Sequence, residues 1–323
     1  MNLSSTVRTN KLLFIGSSNI HEAIKNSVPK SWKIWAVNSL SEFLVSPVNI
    51  DFVLDASIKD SIDLNLEPFS EVKIIACAST GTNHIKLPSN NSREIAIISL
   101  RDIPEVLSKL TSAAEFSFGL LIALVRNIVP AAKSVESGLW NRNEYPGVIL
   151  KGKKLGLIGF GRIGSSMANY ATSFGLETSY YDPYLRQKPS NYYEHKSVKD
   201  LVSESDFISL HVPYNSESEN KTIITKEIFQ YFKNGSFFIN TSRGELIDEM
   251  GLIASLKSGT IKGAALDVVV GEPEITKNEL YKYAKRSRKN IIITPHIAGN
   301  SVENVEIATI GILDLLLKRV IGI

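Results

Sequence analysis

Lys154-Leu155-Gly156-Leu157-Ile158-Gly159-Phe160-Gly161-Arg162-Ile163-Gly164 is the stretch on which the reading of this chain turns. Its first half is a short apolar run, the pattern of a strand buried on both faces. Its second half reads G-x-G-x-x-G. Beyond it Ile163, Met167, Ala168, Ala171 and Phe174 recur at helical spacing. Each glycine has its own task in such a strand-to-helix turn. Gly159 permits the tight turn, Gly161 lets a phosphate approach the backbone, and Gly164 lets the helix pack closely on the strand. The helix N-terminus then offers N–H donors and a partial positive charge. Taken alone, the hexapeptide also fits a tight turn with no ligand.

The next strand, Thr178 to Tyr181, removes that ambiguity, because it ends at Asp182, 18 residues beyond Gly164. A carboxylate there accepts hydrogen bonds from ribose hydroxyls and repels a 2′-phosphate. Strand, glycines, helix, strand and acid in this order specify a Rossmann-type dinucleotide-binding unit that favours NAD over NADP. Arg186, nearby, reads as a surface arginine.

Working outward, the C-terminal half continues as an α/β series. Strands are expected at Lys154–Gly159, Thr178–Tyr181, Phe207–Leu210, Phe237–Asn240, Ile261–Leu266 and Ile291–Thr294. Helices are expected at Ile163–Phe174, Val198–Val202, Lys226–Phe232 and Asp248–Lys257, with a final amphipathic helix over Ser301–Ile323. The N-terminal part alternates too. Its apolar runs Lys11–Gly16, Trp32–Val37, Phe52–Leu54, Val72–Ala76 and Ile95–Ser99 predict a smaller unit of about five strands. Between the halves, Thr111–Val129 reads as one long helix, apolar nearly all round and therefore buried at a domain or subunit interface. Trp140–Gly152 carries turn residues and little periodicity, so it is a connector.

Bulk properties exclude several classes. At 323 residues the chain is long enough for two domains. A net charge of +3 gives no basis for nucleic-acid binding. The densest basic stretch, Lys282 to Lys289, reads as a solvated helix end before a strand. The single cysteine, Cys77, lies in an apolar run and fits a reducing, cytoplasmic setting. No secretory leader is apparent, and no run approaches the ~18–20 apolar residues of a membrane span. No metal ligands are assigned.

Three ionisable residues follow three of the expected strands: Arg243 after Phe237–Thr241, Glu272 after Gly263–Asp267, and His296 after Ile291–Pro295. In an open parallel sheet, ligands bind outside the carboxyl ends of the strands. Reducing a carbonyl needs a hydride on carbon and a proton on oxygen. An imidazole suits the proton transfer, and an adjacent carboxylate favours its charged form. A guanidinium stays charged and offers a planar fork to a carboxylate and a neighbouring carbonyl oxygen. Each residue alone has a plainer reading, as a salt-bridge partner, a turn or a strand cap. Beside a dinucleotide turn, the three together indicate interconversion of a 2-keto and a 2-hydroxy acid.

At this point the chain resembles the D-isomer-specific 2-hydroxyacid dehydrogenases. The resemblance covers Thr80 to Gly299 and rests on six motifs. They are Gly159–Gly164 with Asp182-Pro183-Tyr184, His211-Val212-Pro213, Asn240-Thr241-Ser242-Arg243-Gly244-Glu245-Leu246-Ile247-Asp248, Ala265-Leu266-Asp267, Gly271-Glu272-Pro273, and Thr294-Pro295-His296-Ile297-Ala298-Gly299. It implies that Arg243 binds substrate, His296 is the acid/base and Glu272 its orienting carboxylate. It implies NAD contacts from Gly159, Gly161, Arg162, Ile163, Gly164, Asp182 and Thr241. Asp267 would bond the carboxamide, Gly299 would lie beside the nicotinamide ring, and His211 and Pro213 would line the groove. Backbone donors at Thr80 and Gly81, in Ser79–Ile85, would take the substrate carboxylate.

The fold so implied is two α/β domains. A Rossmann-type NAD-binding domain, 111–299, is inserted into a flavodoxin-like substrate domain made of 1–110 and 300–323. A homodimer through the cofactor domains is also implied. The chain departs from the family at Asn83 and Lys86, where aspartates are usual, and at Phe116, where a histidine is often seen. The competing function is an NAD(H)-sensing regulatory protein, such as the corepressors of this fold. The intact Arg243, Glu272 and His296 favour the enzyme. A formate dehydrogenase would pair its histidine with glutamine, so Glu272 argues against it.

Overall fold

The computed structural model describes residues 9–57, 61–82, 84–87, 94–214, 222–287 and 289–322. It divides into two compact units, 1–110 with 302–323, and 111–301.

In the first unit the alternating apolar runs become strands β1 (Lys11–Ile15), β2 (Lys33–Val37), β3 (Phe52–Asp55), β5 (Ile74–Cys77) and β7 (Ala96–Ser99). They form one parallel sheet in the order β2-β1-β3-β5-β7, the flavodoxin-like order. Two-residue strands β4 (Ile62–Asp63) and β6 (Ile85–Lys86) make a separate small ladder. Helices α1 (His21–Ser27), α2 (Leu40–Leu44) and α3 (Pro104–Leu107) are joined by the C-terminal helix α11 (Val302–Ile321). Side chains alternate across the sheet. Leu12, Phe14, Leu54, Ala76 and Ile98 meet Ile312, Leu313 and Leu316 of α11 in one core. Leu13, Ile15, Val53, Ile75 and Cys77 meet Leu40, Phe43 and Phe69 in the other. Adjacent apolar residues thus serve opposite layers, which is why these strands read as continuous apolar runs.

The second unit holds β8 (Lys154–Ile158), β9 (Glu177–Tyr181), β10 (Tyr193–Glu194), β11 (Phe207–Leu210), β12 (Ser236–Asn240), β13 (Ile261–Leu266) and β14 (Asn290–Ile293). All pair in parallel, in the order β10-β9-β8-β11-β12-β13-β14. This is the Rossmann order 3-2-1-4-5-6 with one further strand, and its switch point falls between β8 and β11. Its helices are α4 (Ser112–Val125), α5 (Ile128–Glu136), α6 (Arg162–Ser173), α7 (Val198–Glu204), α8 (Lys226–Phe229), α9 (Glu249–Ser258) and α10 (Glu279–Arg286). Leu155, Leu157, Phe207, Phe237 and Ile239 pack under α4 and α6, while Ile158, Ile208, Leu210, Phe238 and Leu266 pack under α9.

The expected strands all form, within two residues of their expected ends. The two-residue β10 was not foreseen, and α10 was seen only as its basic C-terminal end. The single helix over Thr111–Val129 is corrected. Asn127 takes a left-handed conformation with φ of 54° and separates α4 from α5. Asparagine is one of the few side chains that tolerate this region. The Asn290 side chain donates to the Leu124 carbonyl and to Asn127 Oδ1, closing the end of α4. Pro130 then falls in the first turn of α5, where a missing N–H is harmless. Residues 104–125 have the length and apolar character of a membrane span. Yet they form two helices, and Ala114, Phe118, Leu121 and Leu124 of α4 fill the second unit's core. So α4 contributes to the core of its own unit.

Candidate active site

The glycine turn leaves β8 at the switch point, and the three glycines divide their work. Gly159 has φ of 90°, and a Cβ there would stand 2.4 Å from the His211 carbonyl oxygen. A Cβ on Gly164 would stand 2.2 Å from the Gly159 carbonyl oxygen, so this glycine sets how closely α6 packs on the turn. Around Gly161 nothing lies within 4 Å of such a Cβ. The protein itself does not need a glycine there; the open space sits over the N-terminus of α6, where no side chain caps the helix. An opening of this kind fits a bound pyrophosphate. Arg162 and Ile163 are the first two residues of that helix.

Asp182, at the end of β9, is tied into the same turn. Its carboxylate accepts hydrogen bonds from the Phe160 N–H at 2.8 Å and from the Tyr184 N–H at 3.0 Å. An ionised carboxylate has about four acceptor sites, so room remains for ribose hydroxyls. Across the switch point, His211 N–H donates to the Ile158 carbonyl, and the His211 ring is buried. Its Nε2 pairs with the Ser209 hydroxyl at 2.8 Å, while Nδ1 has no protein partner. Burial pulls this imidazole down to about 3, so it is neutral at working pH. His211 therefore packs behind the turn, consistent with a structural role, and Pro213 is exposed just beyond it.

Arg243 lies three residues past β12 and is partly buried. The buried Asn240 side chain fixes the loop: Nδ2 donates to the Arg243 carbonyl and Oδ1 accepts from the Ser242 N–H, both at 2.9 Å. Gly244 must be glycine, because a Cβ would come within 2.4 Å of the Val269 carbonyl carbon. The Thr241 hydroxyl meets the Ser117 hydroxyl of α4 at 2.7 Å. Ser117 also donates to the Ala113 carbonyl, so Thr241 is the donor in their contact.

After β13, Gly271 has φ of 81° and turns the chain into Glu272, whose peptide bond to Pro273 is cis. Glu249 of α9 anchors this loop, accepting from the Val270 N–H and from Asn278 Nδ2. After β14, His296 has φ of 54°. Its Nδ1 donates to Glu272 Oε1 at 2.6 Å, with the two side chains 33% and 29% exposed. The partial exposure leaves the pair reachable from solvent. With Nδ1 engaged, Nε2 is the nitrogen left for exchange with a ligand.

Asp267 sits under the loop that carries His296. It is fully buried, and its oxygens accept from Thr294 Oγ1, the Ile297 N–H and the Ala298 N–H at 2.6, 2.9 and 2.7 Å. Its carbonyl also accepts from the His296 N–H. Burial raises its carboxyl above the usual range, and these hydrogen bonds oppose that rise. Asp267 thus pins the loop that carries His296. Gly299, which follows, is exposed with open space around it. Ser112 of α4 adds a hydrogen bond to the Ala298 carbonyl at 2.7 Å.

Arg243, Glu272 and His296 thus all leave the carboxyl ends of β12, β13 and β14, and the last two are joined. In the first unit, the Thr80–Gly81 loop follows β5 and is held by the Ser79 hydroxyl donating to the Gly81 carbonyl. Asn83 lies outside the described residues, and Phe116 packs on the core of the second unit. Ser112, Ser117, Asn240 and Glu249 were missed from sequence. Only Asn240 carried a signal, as the first residue of the Asn-Thr-Ser-Arg-Gly motif.

Comparison with known proteins covers nearly the whole chain. Residues 118–298 match the family described as D-isomer specific 2-hydroxyacid dehydrogenase, NAD binding domain. Glyoxylate reductase of Thermococcus litoralis is 36% identical over 275 residues, spanning 82% of this chain and 78% of its own. Hydroxypyruvate reductase of Thermotoga maritima is 33% identical, spanning 83% of each. The crystal structure of D-lactate dehydrogenase from Aquifex aeolicus, complexed with NAD and lactic acid, superposes with a TM-score of 0.77 at 26% identity. It covers 97% of this chain and 96% of that one.

Proposed function

This chain belongs to the D-isomer-specific 2-hydroxyacid dehydrogenases, NAD-dependent oxidoreductases, and we propose that within them it reduces a small 2-keto acid through Arg243, His296 and Glu272. The observation that carries this reading is the 2.6 Å hydrogen bond between His296 and Glu272 on the strand edge that also carries Arg243.

The roles follow from the chemistry of each group. Arg243 binds the substrate carboxylate and draws electron density onto the adjacent carbonyl oxygen. Glu272 holds Nδ1–H of His296, which fixes the tautomer and turns Nε2 toward the reacting oxygen. NADH, when bound, supplies the hydride to the carbonyl carbon. Nε2–H then protonates the oxygen, and in the reverse direction Nε2 removes that proton. Asp182 receives the ribose hydroxyls and disfavours a 2′-phosphate.

His296→Asn tests the assignment. Turnover is expected to fall by about 10²–10⁴-fold, the usual worth of general acid–base catalysis, with NADH affinity within a few-fold of wild type. Unimpaired turnover would remove His296 from this role. Glyoxylate and hydroxypyruvate are the first substrates to assay, because relatives are named for their reduction. An enzyme that oxidised NADH with neither, nor with pyruvate, would contradict the proposed substrate class.

The active form in this reading is a homodimer joined through the second unit. Ile128, Val135, Leu139, Trp140 and Ile149, from α5 and the connector after it, are 49%, 51%, 60%, 90% and 78% exposed. Large apolar side chains gathered in one segment favour a partner surface.

A further inference from the structure

The first unit holds a second cluster of reactive side chains, far in sequence from the catalytic trio. Asp55 ends β3 and Cys77 ends β5, and the two are paired in the sheet register. Their side chains therefore emerge on the same face. Both are fully buried. His84 comes down on them, its Nε2 2.8 Å from Asp55 Oδ2 and its side chain 14% exposed. One ligand atom from each of the three lies within 4.8 Å of the other two.

We propose that Asp55, Cys77 and His84 form a binding site for one zinc-class divalent cation, which ties His84 to the strand ends of the first unit. The donor set is the first argument. A thiol sulfur, an imidazole nitrogen and one carboxylate oxygen suit zinc or cobalt, whereas magnesium and calcium prefer oxygen. Charge is the second. A carboxylate, a thiolate and a neutral imidazole sum to minus two, so a divalent cation leaves the buried site neutral. Without a cation, burial and the Asp55 charge push the Cys77 thiol far up, so it stays protonated. Binding therefore displaces one proton from sulfur as the metal–sulfur bond forms.

Support around the ligands is the third argument. The Ser57 N–H and hydroxyl both donate to Asp55 Oδ1, at 3.0 and 2.7 Å. They fix the carboxylate and leave Oδ2 to face His84, as outer hydrogen bonds orient metal ligands elsewhere. In a tetrahedron with bonds of about 2.0–2.3 Å, ligand atoms stand roughly 3.5 Å apart. The ligand atoms here lie within 4.8 Å of one another, and a bound cation would draw them to that spacing. The exposed edge of His84 gives an entry path, and water completes the fourth position. Sequence spacing concealed the cluster, since 55, 77 and 84 match no short metal-binding motif.

The test is a titration of the full chain with Co²⁺, followed by absorption. Cys77 is the only cysteine, so any thiolate-to-cobalt charge-transfer band must come from it. One equivalent of Co²⁺ is expected to produce that band, and Zn²⁺ to displace it. Cys77→Ser should abolish the band, and His84→Gln should weaken Co²⁺ binding more than about tenfold. Absence of the band at saturating Co²⁺ would overturn the site, leaving a hydrogen-bonded Asp55–His84 pair beside an inert thiol. A band of unchanged affinity in His84→Gln would overturn it equally, and that variant decides the matter even if Cys77→Ser does not fold. Failure here leaves the catalytic assignment untouched, because His296 and Glu272 carry no sulfur ligand.

Discussion

At the scale of single residues, several side chains do two things at once. Asp182 was legible as the acid that ends the second strand of the nucleotide unit. Its bonds to the Phe160 and Tyr184 N–H groups were not, because they depend on how β9 meets the glycine turn. Asp182→Ala should therefore have two consequences. Preference for NAD over NADP should erode by about tenfold or more, as the loss of a charged hydrogen-bonding group is worth about 1.5–3 kcal/mol. Stability should also fall, by about 1–3 kcal/mol, because the partly buried Phe160 N–H loses its acceptor. Kinetics with both cofactors and a denaturant titration measure the two effects. An unchanged cofactor ratio would refute the ribose assignment even if stability fell. Asp267 gives the same lesson. The Ala-Leu-Asp motif marked it as functional, and only the fold shows that its oxygens also hold the loop of His296.

At the scale of elements, apolar periodicity located the principal strands, because strands buried on both faces carry uninterrupted apolar runs. Helices were harder. The periodicity of α4 continues into α5, and the break depends on Asn127 and on the side chain of Asn290, 163 residues away. The start of α6 was plain from its glycines, and it carries a sharp prediction. Gly164→Ala drives a Cβ to 2.2 Å from the Gly159 carbonyl oxygen, a backbone atom that cannot rotate aside. The helix must shift away from the turn, which should cost about 1–3 kcal/mol in stability. It should also weaken NADH binding, because the donors at the helix N-terminus move with it. Wild-type stability and affinity in Gly164→Ala would show that close packing here is not required.

At the scale of the whole molecule, the chain builds one parallel sheet, leaves it to build another, and returns through α11 to the first. The proposed dimer belongs to this scale. Sedimentation should give twice the mass of 35.6 kDa, and Trp140→Ala with Ile149→Asp should shift the protein toward monomer. A wild-type monomer at working concentration would refute it. The sequence by itself determined the α/β class, the strand order of chemistry-bearing loops, the nucleotide turn and the three residues of the candidate site. These are local patterns, or follow from the rule that parallel strands present their carboxyl ends on one edge. Tertiary structure alone decided contacts that no pattern announced: the burial of Asp267, the anchoring of the loops by Ser112, Ser117 and Glu249, and the meeting of Asp55, Cys77 and His84. Hydrogen bonding acts over about 3 Å, and no periodicity records which distant segments the fold brings within that reach.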